Sequence, residues 1–133
     1  MIVDTSALVA ILNDEPETAG FLERFQQAIR RGERAAITAA NLFELMLVID
    51  GRKDAQLSEE VDHLLGAMGV VVVAVDVGLA AGAREANRRY GRRFHRARLN
   101  FGDCFAYALA KQTGEPLLFK GDDFAQTDIV SAV

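Results

Sequence analysis

Apolar positions along the chain fall into short aliphatic runs that alternate with longer stretches of three-four spacing, the signature of strands alternating with helices. Residues 1–3 predict a short strand, after which Thr5 or Ser6 can cap a helix carrying Leu8, Val9, Ile11 and Leu12 on one side. Asn13, Asp14, Glu15 and Pro16 form a turn. Ala19, Phe21, Leu22, Phe25 and Ile29 then recur at helical spacing before Gly32 stops the helix. Residues 35–38 predict a strand, 39–49 a helix closed by Gly51, and 57–68 a helix built on Val61, Leu64, Leu65 and Met68. The run from Val70 to Val75 is almost all valine and predicts a central strand covered on both faces. Helix over 76–90, a basic loop over 91–100, helix over 102–112 and a strand over 117–119 complete the pattern, with Ile129 and Val130 as candidates for an added edge strand. This order implies right-handed crossovers and an α/β fold of three layers, α/β/α, with a mainly parallel central sheet and helices on both faces. The length suits one domain, 1–133.

Composition narrows the class. Half the residues are hydrophobic and only two are proline, which excludes disorder as the main state. The apolar stretches fall short of the ~20 residues that a membrane-spanning helix needs. With no leader-like N-terminus and a single cysteine, Cys104, a reducing, cytoplasmic setting without membrane contact is expected. The formal charge of −4 conceals an asymmetry: residues 84–98 hold seven arginines and one glutamate, +6 locally, which leaves −10 on the rest. Such a strip either holds a phosphate backbone near carboxylates or is a solvated helix face followed by a basic loop.

The acids follow a geometric rule. In an open α/β sheet the ligand crevice lies beyond the carboxyl ends of the strands. Asp4 directly follows the first strand, and Asp122 and Asp123 follow the last clear one. Asp103 stands in the first turn of a helix, where the dipole alone would favour a carboxylate. Glu44 interrupts an otherwise apolar run from Leu42 to Ile49, so it is either a partly exposed flank or a buried carboxylate needing a cation. Four converging carboxylates repel one another unless a cation compensates them. All these donors are oxygens, and His63 and His95 lie apart, which favours Mg²⁺, with Mn²⁺ as a substitute, over zinc. Such an ion suits phosphodiester hydrolysis.

Three segments carry a family resemblance: Ile2-Val3-Asp4-Thr5-Ser6-Ala7-Leu8, Leu99-Asn100-Phe101-Gly102-Asp103-Cys104-Phe105-Ala106-Tyr107-Ala108-Leu109-Ala110, and Leu117-Leu118-Phe119-Lys120-Gly121-Asp122-Asp123-Phe124 with Thr127-Asp128-Ile129. Together they resemble a PIN-domain ribonuclease of the VapC toxin type, over essentially the whole chain. The resemblance implies a metal-dependent endoribonuclease acting on structured cellular RNA (tRNA or rRNA), restrained by a VapB-type antitoxin and commonly a homodimer. It matches Asp4, Glu44 and Asp103 to the first three acids and Asp122 to the fourth, with the adjacent Asp123 as the alternative. On this reading Asp4 and Asp103 hold the metal directly, while Glu44 and Asp122 act through water. Thr5 and Ser6 support Asp4 or serve as helix caps. Arg93, Arg96 and Arg98, just upstream of Asp103, are the candidate RNA contacts.

Aromatic residues make up 8% of the chain, with no tryptophan, so no stacking platform for bases is evident and recognition by shape and backbone is expected. Phe94 and Tyr90 are assigned to packing before stacking. Phe21, Phe25, Leu42, Leu45 and Met46 belong to the core or to a groove for an antitoxin helix or second copy. A rival reading is a catalytically silent interaction module for nucleic acid or protein, with a structural divalent ion.

Overall fold

A computed structural model describes residues 1–133, the side chain of Ala55 excepted. The elements run β1 (Ile2–Val3), α1 (Thr5–Leu12), α2 (Thr18–Arg31), β2 (Ala35–Thr38), α3 (Ala39–Asp50), α4 (Ala55–Ala67), β3 (Val70–Val73), α5 (Val77–Tyr90), α6 (Phe101–Thr113), β4 (Leu117–Leu118) and a 3-10 turn, Phe124–Gln126. The four strands form one parallel sheet in the order β3-β2-β1-β4. No helix is long and apolar enough to cross a membrane among the described residues.

Strand alternation sends side chains to two cores. Val3, Ile37 and Leu118 pack beneath α1 to α4 with Phe21, Phe25, Leu45 and Val61. Ile2 and Leu117 face the other way, against Leu79 and Ala83 of α5 and Ala106 and Leu109 of α6. The sheet is thus the middle of three layers. Phe21, Phe25 and Leu45 are core residues, and Leu42 and Met46 are partly buried against the same core, so these five form no open groove. The exposed apolar side of α3 consists of Phe43, Leu47 and Val48 instead.

Three expectations change. The valine run is not central: β3 pairs only with β2 and lies at the edge, with Val71 48% and Val72 47% exposed. Its β-branched composition favours any strand, but position is set by the crossovers, and α5 and α6 pack mainly on each other, with α6 also lying against β1, β2 and β4. The cap of α1 is Asp4 rather than Thr5 or Ser6, because the Asp4 carboxylate takes the Ser6 amide at 2.9 Å. The C-terminal residues add a single parallel bridge, Leu117 to Ser131, rather than a full strand; the Leu117 amide donates to Val130 O and the Ala132 amide to Leu117 O.

The two cores and the open edge respond differently to truncation. Leu45→Ala, at a fully buried site, is expected to lower the unfolding free energy by about 2–5 kcal/mol, and Val72→Ala by under about 1 kcal/mol. Urea unfolding of both variants checks this, and equal losses would place β3 inside the sheet.

Candidate active site

Asp4 leaves the carboxyl end of β1 fully enclosed. Its Oδ2 accepts from the Ser6 amide at 2.9 Å and from Ser6 Oγ at 2.6 Å, and its Oδ1 from Asn41 Nδ2 at 3.2 Å. Ser6 Oγ also accepts from the Lys120 amide at 3.0 Å, which ties the segment after β4 to the same point. Thr5 turns elsewhere: its hydroxyl donates to Asn41 O at 3.0 Å. Ser6 is therefore the direct support of Asp4, and Thr5 the support of the residue that holds Asp4 from the other side.

Asn41 carries no charge and matches no expected motif, so sequence reasoning missed it. It is wholly buried in the first turn of α3, where Thr38 caps the helix by accepting the Asn41 amide at 3.0 Å and donates to Asn41 Oδ1 at 2.6 Å. That pair fixes the orientation of the amide, whose nitrogen also donates to Gly102 O at 3.1 Å. The Thr38-x-x-Asn41 spacing was the available signal, but it reads as a plain cap.

Asp103 is brought in by α6. Asn100 and Asp103 form a reciprocal capping box, with Asn100 N donating to Asp103 Oδ2 at 2.7 Å and Asp103 N to Asn100 Oδ1 at 2.9 Å. The helix-start explanation of this acid is correct as local structure, and it coexists with a long-range role. Burial first, then the charges of Asp4, Asp123 and Glu44, push its carboxyl from the ordinary 3.8 up to about 7, against the lowering effect of the Asn100 amide. Burial likewise raises Asp4, with Glu44 adding to it, while Ser6 and Thr5 pull the other way.

Glu44 is neither fully buried nor free. It is partly exposed on α3 with its carboxylate packed against the backbone of Gly102, where a Cβ would fall onto its oxygens. Only glycine at 102 lets this acid approach α6 so closely. Of the adjacent acids after β4, Asp123 adds its charge to those that raise Asp103. Asp4, Glu44, Asp103 and Asp123 thus share one electrostatic neighbourhood.

A cleft of about 970 Å³ opens beside this neighbourhood, lined by Glu44, Asn100 and Phe101 together with Arg84, Arg92 and Arg93. Arg93 of the expected arginines lines it, while Arg96 and Arg98 are exposed outside it. Lys120 points away and pairs with Glu15 and Glu17.

The donor set fits a hard divalent ion. It is all oxygen, and two of its carboxyls are held towards their neutral forms by burial and mutual repulsion that a cation would relieve. Among the described residues no three His, Cys, Asp or Glu side chains are close enough to enclose an ion by themselves. Mg²⁺ does not require that, since it keeps several waters and takes one or two carboxylates.

Comparison with known proteins identifies the family. The PIN domain profile matches residues 1–130. Ribonuclease VapC30 of Mycobacterium tuberculosis is 47% identical over 131 residues, covering 98% of this chain and 97% of that one. Among solved structures, M. tuberculosis VapC20, described as a sarcin-ricin loop cleaving toxin, superposes with a TM-score of 0.72 at 18% identity over 97% of this chain and 95% of its own. VapBC2 from Rickettsia felis, bound to a DNA fragment from its promoter, gives 0.77 at 14% identity over 98% and 94%. The chain belongs to the PIN-domain family, in its VapC ribonuclease branch.

The raised carboxyls have a signed consequence for stability. Between about pH 4 and about pH 7 the folded chain retains a proton on Asp103 that the unfolded chain has lost, so this group makes the metal-free protein less stable as pH rises through that window. Asp103→Asn is therefore expected to melt higher than the EDTA-treated wild type at pH 8, with the difference shrinking towards pH 4. A difference that does not vary with pH would contradict the raised titration.

Proposed function

We propose that the chain is a metal-dependent endoribonuclease, the toxin of a toxin–antitoxin pair, hydrolysing phosphodiester bonds in structured cellular RNA such as tRNA or rRNA. The observation that carries this reading is the convergence of Asp4 and Asp103, both pushed towards neutrality by burial and by neighbouring acids, beside an arginine-lined cleft. Support comes from a full-length relative named as a ribonuclease and a fold neighbour described as an RNA-loop cleaving toxin. The Rickettsia VapBC2 structure supports a VapB-type antitoxin as partner, and a homodimer is the assembly we expect.

Mg²⁺, or Mn²⁺ in its place, is the ion this donor set favours. When bound, it supplies positive charge that stabilises phosphate oxygens and acidifies water. The chain does the rest. Asp4 and Asp103 would hold the ion, with Ser6 and Asn41 fixing the two oxygens of Asp4 and the Asn100 amide fixing Oδ2 of Asp103. Glu44, at the cleft wall, accepts a proton from the attacking water through its carboxylate oxygens. Asp123, whose charge adds to the raising of Asp103, is the acid placed fourth, with Asp122 beside it as the alternative. Arg84, Arg92 and Arg93 receive RNA phosphates as point charges or forks.

Induction of the wild-type chain is expected to arrest growth, and the purified protein to make discrete cuts in total RNA with Mg²⁺ and none with EDTA. Asp103→Asn is expected to do neither, and Glu44→Gln to slow cleavage by about 10²–10⁴-fold. Identical behaviour of wild type and Asp103→Asn would remove the carboxylate mechanism and leave the silent interaction module.

A further inference from the structure

Large aromatic side chains are usually covered, yet Phe101 is 77% exposed and Phe94 61%. Neither position is accidental in space. Both line the cleft that holds Arg84, Arg92, Arg93 and Glu44, and Phe101 is two residues from Asp103. Phe101 packs edge-on against Phe105, with ring centroids 5.0 Å apart and planes 66° apart, so a neighbour holds it while most of its surface stays open. Phe94 sits in a loop closed by a parallel bridge between Gly91 and Leu99, and its amide donates to Gly91 O at 2.9 Å. Its backbone is fixed while its ring is not covered.

Resting on the ribonuclease reading, we propose that Phe94 and Phe101 stack against unpaired bases beside the scissile phosphate and so set the register of the cut. Aromatic faces interleaved with arginines match the two parts of a nucleotide, a planar base and a phosphate, and every base offers a π-face. An apolar peptide helix would have no use for the three arginines on the same walls. The packing role expected of Phe94 from sequence does not survive its exposure, and the low aromatic content concealed the platform because its members come from the loop and from α6.

Binding of a single-stranded RNA carrying a 2-aminopurine reporter, measured with the full chain in EDTA so that nothing is cut, tests this. Phe94→Ala and Phe101→Ala are each expected to weaken binding about tenfold and to lessen the reporter's quenching, with wild-type melting temperatures because both rings are exposed. Phe→Tyr at either site is expected to restore binding and Phe→Leu not to. The slope of log affinity against log salt should stay unchanged in the Phe variants and fall by about one in Arg93→Ala. Wild-type binding by both Ala variants of a chain that still cleaves RNA overturns the stacking proposal alone. So does full rescue by leucine, which would mark the rings as an apolar contact for a protein partner. A wild-type chain that neither binds nor cuts RNA overturns the ribonuclease reading, and this proposal falls with it.

Discussion

The buried carboxamide of Asn41 joins segments that are far apart in sequence: it reaches Asp4 across 37 residues and the Gly102 carbonyl across 61. Thr38 holds its oxygen from the strand side, and the Thr5 hydroxyl takes its backbone carbonyl. A buried amide deprived of one partner costs about 1–3 kcal/mol, so these contacts stand or fall together. The carboxyl end of β1, the start of α3 and the start of α6 are consequently held in one fixed relation. Every acid of the site belongs to, or touches, one of those three places or the loop that Ser6 ties to them.

That relation works against the stability of the chain by itself. It places Asp4 and Asp103 out of water and within reach of each other's charge and of Glu44. The local hydrogen bonds to Ser6, Asn41 and Asn100 offset part of this, but they do not cancel it, since both carboxyls remain raised. The apolar cores above and below the sheet stabilise what the site destabilises. Sites of this kind gain their function from an arrangement that packing alone would not select.

Much of this was legible in the sequence because it depends on local pattern. The order of strands and helices follows from periodicity, and Asp4 and Asp103 follow from their places after a strand and at a helix start. What escaped depends on which elements become neighbours. Val70 to Val73 reads as a buried strand because valine suits any strand, while its edge position is fixed by the crossovers. Asn41 reads as a helix-cap residue because its partners lie on other elements. Asp122 and Asp123 differ by one residue just before the 3-10 turn, and composition does not encode which of the two side chains turns towards the other acids. Gly102 stands in the first turn of α6, and its lack of a side chain makes room for Glu44, a partner on another element.

The arginine strip and the acidic remainder also divide the charge unevenly along the chain. Seven arginines crowd into residues 84–98 on a chain whose other residues sum to −10, and the bridge from Gly91 to Leu99 fixes the backbone that carries four of them. Three of the seven, Arg84, Arg92 and Arg93, line the cleft, so a polyanion that approaches it meets a local attraction. Long-range fields of this kind raise encounter rates by about 10–10³-fold at low ionic strength. Glu44 at the cleft wall repels the same polyanion at short range, so productive docking favours the state in which its charge is compensated. Attraction from the arginine walls and repulsion from Glu44 thus meet within a single cleft.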